Sequence, residues 1–237
     1  MALVFVVAAV ICFGVITSVR NVNVEYIYYS DRGNEEYELA LGRLNGLKGS
    51  TLMSLGDDDV YACVQGQNIN IKSYEKVFPC TLNVVLCERL EQYARPDGKG
   101  GYDVYDINGV YMGTRSSNLN PADDSPNVLL EMEDEDFDAA VAICGWVKEY
   151  FGSLRNLVNK VTKQYDAITE TSRITLSLYS GLNIVLVDYE DFTESKVSAA
   201  AEVFLSLSDS QKLRGSIYSV NPGDSQSKVS AYYNALI

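Results

Sequence analysis

The chain has 237 residues, with 32 Asp and Glu against 19 Lys and Arg, a net charge of −13, and no histidine. That acidity repels phosphate backbones and anionic lipid heads, which argues against nucleic-acid binding and against docking on an acidic membrane surface. The missing histidine removes Ser-His and Cys-His catalytic pairs and the usual zinc sites.

Residues 2–19 contain no charge. A run of this length is near the lower limit of roughly 17–25 residues for a bilayer-spanning helix. Its first reading is an N-terminal transmembrane helix, a single-pass signal anchor with the following domains extracytoplasmic. A cleaved secretory signal is the second reading. Against cleavage, the run exceeds the roughly 7–15 apolar residues of a signal core, and no Ala-x-Ala site follows. A buried core helix is the third, and nothing polar gives it a second face. No basic residue precedes the run and Arg20 follows it, so charge gives no support for orientation. A truncated start that has lost a basic cytoplasmic tail would explain this.

Val22, Val24, Tyr26 and Tyr28 alternate with polar neighbours and predict a first strand, broken at Asp31-Arg32-Gly33-Asn34. Leu39, Leu41, Leu44 and Leu47 predict a short helix that ends near Gly46 and Gly49. Asp57, Asp58 and Asp59 precede Val60, Tyr61, Cys63 and Val64, and acids suit the positive end of a second helix, which Gly66 closes. Ile69–Val77 and Thr81–Glu88 then read as two strands around Pro79, the second through alternation of Leu82, Val84 and Leu86. The turn-rich Arg95–Gly101 stretch is the predicted domain boundary.

Beyond it, Asn108-Gly109 between Tyr102–Ile107 and Val110–Met112 predicts a hairpin with a type I′ turn. Residues 114–127 read as loop. Phe137, Val141, Cys144, Val147 and Phe151 recur at three or four and predict an amphipathic helix headed by acids. The stretch from Asn156 to Ala167 has no assignment. Ile174, Leu176 and Leu178, then Ser180-Gly181, then Leu182, Ile184 and Leu186 predict a second hairpin. Val197, Ala200, Phe204 and Leu207 predict a last helix with Thr193 as N-cap. Ser216–Val220 reads as a final strand, and the polar residues after Asn221-Pro222 as a flexible tail.

Motifs for chemistry are absent. Glu131, Glu133, Asp134, Glu135, Asp136 and Asp138 form an acidic run, but without the alternation and glycine of a calcium loop. Its simplest reading is a solvated helix start. Ser177, Ser180 and Ser206 have no Gly-x-Ser-x-Gly context, and Gly98-Lys99-Gly100-Gly101 lacks P-loop spacing. No catalytic residue, cofactor or metal site is expected. Cys80 and Cys87 on one strand lie about 23 Å apart if extended, too far to pair with each other. Cys63 with either of them remains open, and the lack of a dense cysteine framework favours free thiols.

The phrase Phe78-Pro79-x-Thr81-Leu82 followed by Glu88-Arg89, then Asp106-Ile107-Asn108-Gly109-Val110, then Gly181–Leu186 with Lys196 in the next helix, resembles the bacterial cell-division family FtsQ/DivIB in order and spacing. Three features depart from its pattern, the missing cytoplasmic tail among them. Leu90-Glu91 stands where a proline is usual, and Val187-Asp188 where a glycine is common. The resemblance implies an α+β architecture: a transmembrane signal anchor at 2–19, a small POTRA-type β-α-α-β-β domain at 22–94, a larger mixed β domain with antiparallel hairpins and two helices at 95–222, and a flexible tail at 223–237. It also implies a non-enzymatic divisome scaffold at the division septum that binds FtsB/DivIC-like and FtsL-like single-pass partners. An edge strand offers unpaired N–H and C=O groups to such a partner. The expected partner-binding edge is Ser216, Ile217, Tyr218, Ser219 and Val220, with Tyr218 as anchor. A proline at Ser219 or a charge at Tyr218 is expected to weaken binding and spare the fold. The alternative is a secreted or anchored surface protein, a carbohydrate-binding module or acid-rich hydrolase.

Overall fold

A computed structural model describes residues 16–28, 33–120, 124–167, 170–221 and 229–235. The chain divides into two units, Met1–Leu90 and Glu91–Ile237. The division thus falls before the turn-rich stretch. Arg95 and Pro96 end a strand, and Asp97 closes the turn after it by accepting from the N–H groups of Lys99 (2.7 Å) and Gly101 (2.8 Å).

In the first unit, β1 (Asn21–Ile27) is followed by α1 (Asn34–Gly46), α2 (Asp57–Tyr61), β2 (Ile69–Val77) and β3 (Thr81–Glu88). The sheet order is β1-β3-β2, with β1 parallel to β3 and β2 antiparallel to it. Alternation sends Leu82, Val84 and Leu86 into a core shared with Ala40, Leu44, Leu52 and Val60. The helix face that meets this core is set by Ala40 and Leu44, one turn apart, while Leu39 is exposed. Tyr26 stacks on Tyr37 at 4.6 Å, and a Cβ on Gly33 would come within 2.1 Å of the Tyr26 hydroxyl, so this approach requires glycine. The Glu36 carboxylate accepts from the Gln67 and Asn68 backbone N–H groups and pins the loop that leads into β2.

The expected transmembrane helix is not supported. No helix among the described residues is long and apolar enough to cross a membrane. Residues 1–15 of the uncharged run lie outside the described residues. The end of that run does not continue as a helix. Ser18 bridges Thr51, Val19 N–H donates to Ser50, and Thr17 C=O accepts from Leu52. Thr17 and Val19 are each 2% exposed, because these backbone partners fix them against the first core.

The second unit joins its strands through its two helices into a single mixed sheet. Its strands are β4 (Tyr93–Pro96), β5 (Tyr102–Tyr105), β6 (Tyr111–Arg115), β7 (Val128–Glu131), β8 (Val158–Asp166), β9 (Thr171–Leu178), β10 (Asn183–Val187), β11 (Ser216–Val220) and β12 (Ser230–Asn234). They form one mixed sheet in the order β12-β11-β10-β9-β8-β7-β4-β5-β6. Helix α3 (Phe137–Phe151) connects β7 to its parallel neighbour β8, and α4 (Thr193–Ser206) connects β10 to its parallel neighbour β11. A helix between two strands of one sheet lets them run the same way. These two crossovers fuse what hairpins alone would leave apart.

On α3, Ala140, Ile143, Cys144 and Val147 form the stripe that packs on Ile174, Leu176, Ile184, Leu186 and Ile217. Helix α4 adds Val197 and Ala200 to the same core. The N-cap of α4 is Phe192, at φ 53°, and not Thr193. The Thr193 hydroxyl instead donates back to the Tyr189 carbonyl. The Asn108-Gly109 turn is wider than two residues, because Asp106 Oδ1 accepts from the N–H groups of both Asn108 and Val110 (2.9 Å each).

Candidate functional site

The nine-stranded sheet has two ends, β6 and β12. They differ in chemistry. Next to β6, the ladder shifts register between Val104 and Tyr105, and Gly113 within β6 sits at φ +133°. Arg115 is drawn toward the fully buried Glu91, donating from Nε (3.1 Å) and Nη2 (2.9 Å) to Oε1. Bulges and charges of this kind blunt an edge. Strand β12 has none of them. Its sequence, Ser230-Ala231-Tyr232-Tyr233-Asn234, holds no charge, no proline and no glycine.

Local chemistry explains why β12 lies flat on β11. The pairing is antiparallel and unbroken from Ser216↔Asn234 to Val220↔Ser230. Ala231 and Tyr233 turn toward the core below the helices, and the Tyr233 hydroxyl donates to the Arg214 carbonyl (3.1 Å). On the other face Tyr232 is 52% exposed and stacks on Tyr218, with ring centroids 5.6 Å apart and planes 18° from parallel. Tyr232, Tyr218, Val185, Thr175 and Thr162 stand in register across five strands of this face. Gly215, at φ +89°, begins the pairing; a Cβ there would meet the Asn234 carbonyl oxygen at 2.5 Å.

The expected edge residues are placed differently from the sequence reading. Ser216, Ile217, Tyr218, Ser219 and Val220 form β11, which pairs with β10 on one side and β12 on the other. Ile217 and Ser219 are fully buried, and the Ser219 hydroxyl donates to the Lys196 carbonyl (3.0 Å). Tyr218 remains beside the edge only through its stack on Tyr232. The free edge was missed because β12 falls in what reads as a polar tail. Alternation of Ala231 and Tyr233 against Ser230, Tyr232 and Asn234 is the signal that marks it. Residues 222–228 and 236–237 of that tail lie outside the described residues.

Three members of the acidic run, Glu131, Asp134 and Asp136, are tied to separate partners. Glu131 pairs with Lys160 (3.1 Å) and Asp134 with Arg95. Asp136 Oδ1 accepts from Lys163 (2.6 Å) and from the Tyr189 hydroxyl (2.7 Å). Burial and the Asp136 hydrogen bond push the Tyr189 phenol up to about 12. Lys196 is fully buried and donates to the Asp188 carbonyl; burial lowers its pKa, against the raising influence of Asp188 and Asp191. It holds the turn between β10 and α4. Among the described residues, no group of three or more Cys, Asp or Glu side chains is arranged to hold a metal ion. Compared with protein-family models and with curated protein sequences, the chain matches none.

Proposed function

We propose that the protein is a non-enzymatic assembly scaffold that captures an extended segment of a partner as an additional strand on β12. One observation carries this reading: among the described residues, the second unit's sheet ends in an uncharged strand that carries a half-exposed tyrosine. Main-chain hydrogen bonds to such an edge supply affinity, and side chains on alternate positions supply specificity. Tyr232, seated on Tyr218, is the aromatic anchor. The resemblance to the FtsQ/DivIB family names the partners: FtsB/DivIC-like and FtsL-like proteins, met at the division septum.

The test is titration of the full chain with the FtsB/DivIC-like and FtsL-like segments of the same organism, read by amide hydrogen exchange. Binding with new protection at residues 230–234, lost in Tyr232→Asp, supports the reading. Binding with protection elsewhere, or no binding by a folded chain, overturns it.

A further inference from the structure

The first unit has a second exposed feature that the edge does not use. Both its helices pack on one face of the three-stranded sheet, and on the other face Asn23, Glu25, Ser73 and Glu75 are exposed. There a cavity of about 500 Å³ is lined by Asn23, Glu25, Ser73, Glu75, Asn83 and Val85, with Tyr74 at its wall. That volume falls in the range of roughly 300–1,000 Å³ found for ligand sites. The strand register sets its chemistry. Glu75, Asn83 and Asn23 stand in one row across β2, β3 and β1, and Ser73, Val85 and Glu25 in the next.

Within the first row, Asn23 Nδ2 donates to Asn83 Oδ1 at 2.9 Å. Asn23 Oδ1 and Asn83 Nδ2 keep an acceptor and a donor without a protein partner among the described residues. Glu25 and Glu75 are exposed and make no ion pair among the described residues. This contrasts with Glu91, Glu131, Asp134 and Asp136, each of which has a basic partner. The two free carboxylates lie on opposite strands and one face-step apart, a diagonal of roughly 12 Å from strand spacing and rise. Lys72 lies beyond the cavity, near Cys87, where it acts to lower that thiol's pKa against its burial. The groove lining therefore carries two carboxylates and no basic side chain.

We infer that this open face binds an extended, basic polypeptide segment, with two cationic side chains meeting Glu25 and Glu75 and the polar groups between them meeting the Asn23–Asn83 pair. The charge selects the ligand class. Two unpaired carboxylates exclude an anion, and the face offers no free aromatic platform for a sugar ring. Tyr74, at the cavity wall, is already engaged, its hydroxyl donating to Asp57. Such a site, on exposed carboxylates, is weak and salt-sensitive.

The test uses the isotope-labelled full chain and three octapeptides: alternating Lys and Thr, alternating Gln and Thr, and alternating Glu and Thr. The expected result is that only the Lys peptide shifts the amides of Asn23, Ser73, Asn83 and Val85. The double change Glu25→Gln and Glu75→Gln, at exposed positions that the fold does not need, should weaken it about tenfold, and high salt should do the same. Equal binding of the Gln peptide overturns the proposal. So does binding of the Lys peptide that shifts other acidic regions and is unchanged in the double variant, which is attraction to net charge alone.

Discussion

At the scale of single residues, buried proton-bearing groups control the alkaline limit of the fold. Burial pushes the Cys144 thiol up to about 12 and the Tyr26 phenol up to about 12, and raises Tyr93 further. Tyr189 moves the same way, and Lys163 is raised chiefly by its hydrogen bond to Asp136. Each holds its proton more tightly folded than unfolded. The associated stability is therefore complete below the unfolded pKa and is lost as pH rises toward the folded one. Lys196, lowered by burial, opposes this but is a single group. The melting temperature should fall once pH passes about 9, where an unfolded thiol ionises. Cys144→Ala should flatten the first part of that fall; an unchanged slope from pH 9 to 10 would remove Cys144 as its cause. Glu91 is a separate case. It is fully buried, with Arg115 on Oε1 and Asn127 Nδ2 at 3.4 Å from Oε2. Glu91→Gln leaves Arg115 without its counter-charge and should cost about 3 kcal/mol in a denaturant melt, as for a broken buried ion pair.

Among the elements, β12, from the expected tail, takes the edge position that the sequence suggests for β11, and two substitutions separate them. Ser219→Pro removes a backbone donor from a strand paired on both sides, together with the hydroxyl that reaches Lys196. It should destabilise the second unit by about 3 kcal/mol or more, measured by denaturant unfolding. The sparing effect expected from the sequence does not hold at an interior strand. Tyr232→Asp changes a half-exposed side chain at the rim. It should cost about 1 kcal/mol, the scale of one aromatic pair, while abolishing partner capture. Strand β3 was legible because Leu82, Val84 and Leu86 bury one face only, and α3 because its apolar residues repeat at helical spacing. Strand β8 was not, because a bulge between Val158 and Lys160 breaks its period. Neighbour relations were least legible. Alternation reports that a residue has a buried face and says nothing about which strand lies beside it, so a strand between β10 and β12 looks like one at the rim.

For the whole molecule, two cores imply two folding units. The second unit contains all nine strands of its sheet and both helices that cover it. A fragment of residues 91–237 should fold alone and melt cooperatively, with a circular dichroism spectrum of mixed helix and strand; an unfolded fragment would show that the units depend on each other. Glu91 lies at the start of this fragment and is fully buried. It anchors Arg115, Asn120 and Asn127, a role with no periodic signature. The open groove of the first unit was equally silent, since Glu25, Glu75 and the two asparagines are far apart in sequence and meet only through strand register. The half-exposed face of β12 also bears on how the protein can be watched in a cell. A fluorescent reporter inserted directly after Asn234 would sit beside the pairing edge and would compete with the partner for space. The exposed turn at Gly98–Gly100, at the tip of β4 and β5, offers another insertion point, and a reporter there should leave capture intact where one beside β12 impairs it.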